Sequence, residues 1–320
     1  MWGDNMAYSD YEVALVDAYL NDVRRGKINP VNTDLQSNNA RNSYNWYLNG
    51  IIRLQPKEFL VTDFETVDFS IFRDLCIEIV ALVFGEEFIE DFVLYFQTIR
   101  QNGSKEFLDG IVISYGMEGT DEVIGRETEI PNISCLGCIV TVMHEFVHFL
   151  ASNYKLDFNK KRYYEEILSI LVEKITADYL THCTSDKEVS RKVNLTRLES
   201  IKFHYENLTQ IEQVFELYNS QKKQGDNLLS LALLERKFPF FKNRRSINYW
   251  RNLADSYGMG FLYSESLFSI FYSDPKELLI GLRKTLKGDL ELRKFLSRYQ
   301  INANNDEVYE KANLRIKTLN

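Results

Sequence analysis

Apolar positions recur along most of this chain at helical spacing. Residues 8–24, with Val13, Leu15, Val16 and Leu20, predict a helix, and an Asn-rich polar loop follows from Lys27 to Asn42. From Asp68 to Arg100 the helical pattern returns and breaks near Gly85, which predicts two helices, and Asn102-Gly103-Ser104 reads as a loop. The pattern then changes. The β-branched run Ile111-Val112-Ile113-Ser114-Tyr115, bounded by Gly110 and Gly116, predicts a strand, and 117–134 reads as loop with one further extended piece. From Leu136 to Asn153 apolar residues occupy nearly every side, so that helix should be buried. Further helices are expected over Tyr163–Thr181, 189–222 and 226–236. Asp274-Pro275-Lys276-Glu277 has the form of a helix start, with Asp as N-cap, Pro first and Glu third. A last helical pair covers 289–298 and 306–317.

No internal repeat, low-complexity tract or domain linker interrupts this pattern. One unit across 1–320 is expected: a helical part over 1–105, a strand with two key helices over 106–185, and a helical part over 186–320. The fold class is mainly α (α+β) with a small β-sheet edging a cleft. Only 15 Gly and 5 Pro agree with helices over many strands and turns, and 45% hydrophobic residues suffice for a substantial core.

A net charge of −8 argues against nucleic acid as a partner. The basic clusters Lys160, Lys161, Arg162 and Lys242, Arg244, Arg245 are short and read as solvated loops. The opening MWGDNMAYSDYEVALVD carries acids and no basic stretch before an apolar core, so it does not read as a signal peptide. No apolar run approaches the roughly 18 residues of a membrane span. A cytoplasmic protein is expected, and its four cysteines, Cys76, Cys135, Cys138 and Cys183, would be free thiols.

The candidate chemistry lies in Met143-His144-Glu145-Phe146-Val147-His148-Phe149. Residues four apart share a helix face, so His144 and His148 can offer imidazole nitrogens to one metal. Glu145 lies about 100° round the helix, within reach of a water on that metal. H-E-x-x-H on a helix points to zinc with a glutamate general base. Two of the four histidines and one carboxylate fall in an otherwise apolar helix, and burying them without a partner would cost several kcal/mol. A third ligand is needed. Position 154 is Tyr, so the three-histidine variant fails. Glu166, with 17 residues between it and His148, is the expected ligand on a returning helix, and it shares a face with Ser169 and Glu173. Glu173 would then accept from a ligand histidine's other N–H. Glu165 is expected to face solvent; it and Glu173 are the fallback ligands.

His-Glu-Phe-Val-His followed by Glu166-x-x-Ser169-x-x-x-Glu173 resembles the thimet oligopeptidase and oligoendopeptidase F group of gluzincins. The Gly- and Tyr-rich segment Tyr257-Gly258-Met259-Gly260-Phe261-Leu262-Tyr263-Ser264 is similar to one in oligoendopeptidase F. The family usually has Gly where this chain has Val147, and a longer spacing to the third ligand. The resemblance implies Zn²⁺, a zincin-like helical fold, and hydrolysis of peptides rather than folded proteins. It also implies a tyrosine that helps hold the oxyanion. Chemistry independently asks for such a donor opposite the metal; Tyr257 and Tyr263 are the candidates, with His204 as a third.

The strand at 111–115 could receive substrate as an added strand. Cys135-Leu136-Gly137-Cys138 has no second cysteine pair to complete a structural zinc site, so it reads as small thiols entering a buried helix. Two other readings stay open. One is a zinc hydrolase of a non-peptide amide. The other is a helical metal-binding or interaction protein without activity. Mn²⁺ or Co²⁺ could also occupy such a site.

Overall fold

A computed structural model describes residues 37–54, 59–101, 111–116, 123–154, 156, 163–222 and 247–319. The helices expected at 8–24 and 226–236, the loop at 102–104 and the basic clusters at 160–162 and 242–245 lie outside the described residues. In chain order the helices are α1 (Asn38–Ile52), α2 (Phe69–Ile79), α3 (Ile89–Phe96), α4 (Leu136–Asn153), α5 (Tyr163–Cys183), α6 (Val189–Lys222), α7 (Ile247–Ser273), α8 (Pro275–Leu286), α9 (Leu292–Arg298) and α10 (Asp306–Leu319). The strands are β1 (Ile99–Gln101), β2 (Ile111–Gly116) and β3 (Val123–Ile130). The described chain is mainly helical.

The strands form one small mixed sheet in the order β1-β3-β2. β3, the extended piece expected within 117–134, is central: it runs parallel to β1, with Ile99 opposite Thr128, and antiparallel to β2, with Ile113 opposite Glu127. Both β2 and β3 contact α4.

Helix α4 has the bounds its apolar run predicts, and every residue from Leu136 to Ala151 is buried except His148. An aromatic cluster grips its far side. Phe146 meets Phe92 edge to face at 5.2 Å and Phe84 at 5.0 Å, and the Tyr95 hydroxyl donates to the Val142 carbonyl at 3.0 Å. Near Gly85 the chain breaks as expected: α2 runs into a π-turn at Val80–Phe84, and Gly85 takes φ +100, a conformation that favours glycine. The start at Asp274 is also as read, with its side chain accepting from the Glu277 N–H at 3.2 Å.

The helical pattern drawn to Arg100 stops at Phe96, and Ile99–Gln101 forms β1 instead. Two further points need correction. The loop drawn to Asn42 ends by Ser37, which caps α1 by accepting from the Ala40 N–H at 3.0 Å. Asparagines lower helix propensity, yet α1 buries Ala40, Tyr44, Tyr47, Leu48 and Ile51 along one face, and packing overrides propensity. The second is α7, a helix of 27 residues that was not predicted. Its glycines discourage a helix locally and serve contact instead. A Cβ on Gly260 would stand 3.0 Å from Glu166 Cβ, and one on Gly258 would stand 2.5 Å from the Tyr44 hydroxyl.

Helix α5 is the hub. It packs most extensively on α7, then on α4, and also on α6. Buried apolar residues from Ala40 to Leu319 belong to one continuous core around it. None of the described helices is long and apolar enough to cross a membrane.

Candidate metal centre

Helices α4 and α5 present their polar residues to each other in opposite chain order. His144 faces Glu173 and His148 faces Glu165, so the two helices run antiparallel at this contact. Glu166 lies between, with Oε2 3.6 Å from His144 Nε2 and Oε1 3.7 Å from His148 Nε2. The two Nε2 atoms are 3.1 Å apart. Ligands about 2.0–2.1 Å from a tetrahedral zinc stand roughly 3.3 Å from one another. The three observed separations bracket that value. Among the described residues, His144, His148 and Glu166 form the one group with donor atoms arranged to hold a metal ion.

Each histidine's other nitrogen faces a carboxylate. His148 Nδ1 is 3.2 Å from Glu165 Oε2. His144 Nδ1 is 2.7 Å from Glu173 Oε1. Both Nδ1 atoms are thereby suited to carry the proton, which leaves the two Nε2 lone pairs aimed into the same space. Lone pairs 3.1 Å apart repel unless a cation or a proton sits between them. The donor set therefore fits a divalent metal.

The charges agree. Burial opposes a positive charge on His148, but Glu166, Glu165 and Glu145 outweigh it and lift the imidazole to about 9. Burial pushes the Glu145 carboxyl above its ordinary range, while His144 and His148 pull it back and Glu166 adds to the rise. Burial would also raise Glu173, but Arg197 and His144 prevail and hold it at about 2. Glu145, Glu166 and Glu173 are all buried, and Ser169 Oγ donates to the Glu166 carbonyl at 3.3 Å.

Glu165 corrects the sequence reading. It does not simply face solvent; it backs His148, with its side chain 32% exposed. Arg197 on α6 was missed altogether. Its Nε donates to Glu173 Oε2 at 3.2 Å and its Nη2 donates to Oε1. No local signal marks it, because 24 residues separate it from its partner.

The three proposed oxyanion donors are placed differently. Tyr257 is half-buried, stacks on His204 with centroids 5.3 Å apart and planes at 5°, and has the Arg197 guanidinium 4.9 Å from its ring centre. Tyr257 and His204 therefore connect to the histidine site through Arg197 and Glu173. Tyr263 is separated from Tyr257 by about 120° around α7 and is buried in the core. A narrow cleft among α4, α5 and α6, bordered by Gly137, Thr141, Glu173, Thr196 and Arg197, opens beside this chain of contacts.

The Cys135 and Cys138 thiols are buried at the start of α4, and the Cys135 thiol donates to the Val61 carbonyl at 3.4 Å. Cys76 is buried and Cys183 exposed. No family model, curated protein or solved structure matches the chain.

Proposed function

We propose that this chain is a zinc-dependent peptidase of the gluzincin type, with His144, His148 and Glu166 as ligands and Glu145 as general base. One observation carries the reading: two Nε2 atoms and a buried carboxylate converge at ligand spacing, and each imidazole is backed by a further carboxylate. Zinc bound there would polarise a scissile carbonyl and bring the pKa of a coordinated water to about 7.

The chain's own residues supply the rest. Glu145 is adjacent to a ligand on the same helix, and its raised proton affinity suits a group that accepts a proton from the attacking water and passes it to the leaving amine. The donor to the developing oxyanion is proposed among Tyr257, Tyr263 and His204: Tyr257 stacks on His204 beside Arg197, and Tyr263 lies on the same helix as Gly260, which packs against Glu166. β2 pairs with β3 on one side, is an edge of the described sheet and rests on α4, so its backbone can take an extended peptide as a further strand. Peptides are the proposed substrates.

The test is zinc content by elemental analysis together with hydrolysis of a peptide library. Wild type should carry about one zinc per chain, as a single-metal site requires. Glu145→Gln should keep the zinc and lose roughly 10²–10⁴-fold in rate. Zinc without hydrolysis of any peptide, and no effect of Glu145→Gln on amide substrates, would leave a metal-binding protein. Hydrolysis confined to non-peptide amides would keep the mechanism and change the substrate.

A further inference from the structure

Arg197 stands at the junction of the histidine site and the aromatic stack. Its planar fork takes both oxygens of Glu173, through Nε at 3.2 Å to Oε2 and through Nη2 to Oε1. That same Oε1 faces His144 Nδ1 at 2.7 Å. The guanidinium also lies 4.9 Å from the Tyr257 ring centre. The Arg197 side chain is 12% exposed and that of Glu173 5%, so little water competes for these contacts.

A glutamate side chain has three torsions, and one acceptor contact does not fix it. Two parallel N–H bonds to both oxygens do. With the carboxylate held, an acceptor faces His144 Nδ1 in one position only. That favours the tautomer with hydrogen on Nδ1 and leaves the Nε2 lone pair toward His148 and Glu166. Arg197 also offsets one of four carboxylates, those of Glu145, Glu165, Glu166 and Glu173, gathered around two imidazoles. A lysine could supply the charge but not the fork.

We propose that Arg197 is a positioning residue of the metal centre, acting through Glu173 to fix the orientation and tautomer of His144. This rests on the reading of His144, His148 and Glu166 as a metal site, and the experiment separates the two. The full chain would be prepared as wild type, Arg197→Met, Arg197→Lys, Glu173→Gln and the double variant Arg197→Met with Glu173→Gln. Zn²⁺ affinity would be measured by competition with a chromophoric chelator, and the Co²⁺ visible spectrum would report the ligand field. Circular dichroism melts of the metal-free proteins would report folding.

Arg197→Met and Glu173→Gln should each weaken Zn²⁺ binding by roughly 10–100-fold, the usual loss for a partner behind a ligand histidine. The double variant should lose no more than the larger single loss, because the two residues act in series. The Co²⁺ spectrum should shift in all three, and Arg197→Lys should fall between Arg197→Met and wild type. Should Arg197→Met fail to fold, the Arg197→Lys affinity and spectrum decide. Wild-type affinity and spectrum in the folded Arg197 variants would overturn the positioning role and leave the metal site standing. Failure of wild type to bind either Zn²⁺ or Co²⁺ would overturn both.

Discussion

Glu165 and Glu166 are sequence neighbours in different surroundings. Glu166 is buried and faces both Nε2 atoms, whereas Glu165 is partly exposed and faces the outer nitrogen of His148. Glu166→Ala should therefore abolish tight zinc binding, with metal lost on gel filtration. Glu165→Ala should weaken it toward the lower end of the roughly 10–100-fold range for residues behind a ligand, since water can replace its carboxylate. Chelator competition on the two variants checks this, and equal losses would mean that Glu165 is itself a ligand. The sequence shows why one half of the site is readable and the other is not. His144, Glu145 and His148 lie within five residues, so helix geometry alone relates them. Glu166 follows from asking what a returning helix can offer. Arg197 depends on how α6 docks against α5, and no spacing rule reaches that far.

At the scale of elements, α4 was legible because its burial is nearly complete: an apolar run with a few polar residues has one stable location, the core. Helix α7 was hidden by the residues that make it work. Glycine inside a helix costs about 1 kcal/mol relative to alanine, so Gly258 and Gly260 read locally as breakers. Their value appears only across the interface, where Gly260 lets α7 approach the turn of α5 that carries Glu166. Gly260→Ala tests which effect wins. The added methyl would stand 2.8 Å from Ile170 Cδ1, which can move, but also 3.0 Å from Glu166 Cβ and 3.1 Å from the Glu166 carbonyl oxygen, which move only with α5. Overpacking of this kind costs about 1–3 kcal/mol, more than the helix-propensity gain. The variant should be less stable in urea and bind zinc more weakly, because Glu166 is displaced. A stability gain of about 1 kcal/mol instead would show that α5 and α7 are loosely apposed and that propensity decides.

For the whole molecule, the central position of α5 has an electrostatic consequence. Helices pack on it from several sides, so its polar residues are enclosed whether or not they serve the metal site. Glu173 turns toward α4 and α6, and the next residue, Lys174, turns toward α6 and α7. Lys174 Nζ donates to Glu265 Oε2 at 2.7 Å and to Asn194 Oδ1 at 2.9 Å, and lies 3.7 Å from the Phe261 ring centre. Arg315 on α10 approaches Glu265 at 3.7 Å, so one buried network joins four helices. Burial pushes the Lys174 ammonium below its ordinary range and Glu265 pulls it back, which leaves a charge whose place depends on its partner. The overall class, helices with a small sheet, could be read from few glycines and prolines. This network could not, because a lysine in a helical pattern reads as solvent-facing until the helix is known to be surrounded. Lys174→Ala would leave Glu265 enclosed without its closest cation and should cost about 3–5 kcal/mol in urea unfolding of the metal-free chain, the usual price of breaking a buried pair. Replacing both partners by apolar residues of similar size, Lys174→Met with Glu265→Leu, should restore most of that loss. If the double variant is as unstable as the single one, the network does more than neutralise charge, and the hydrogen bond to Asn194 becomes the tie that holds α5 to α6.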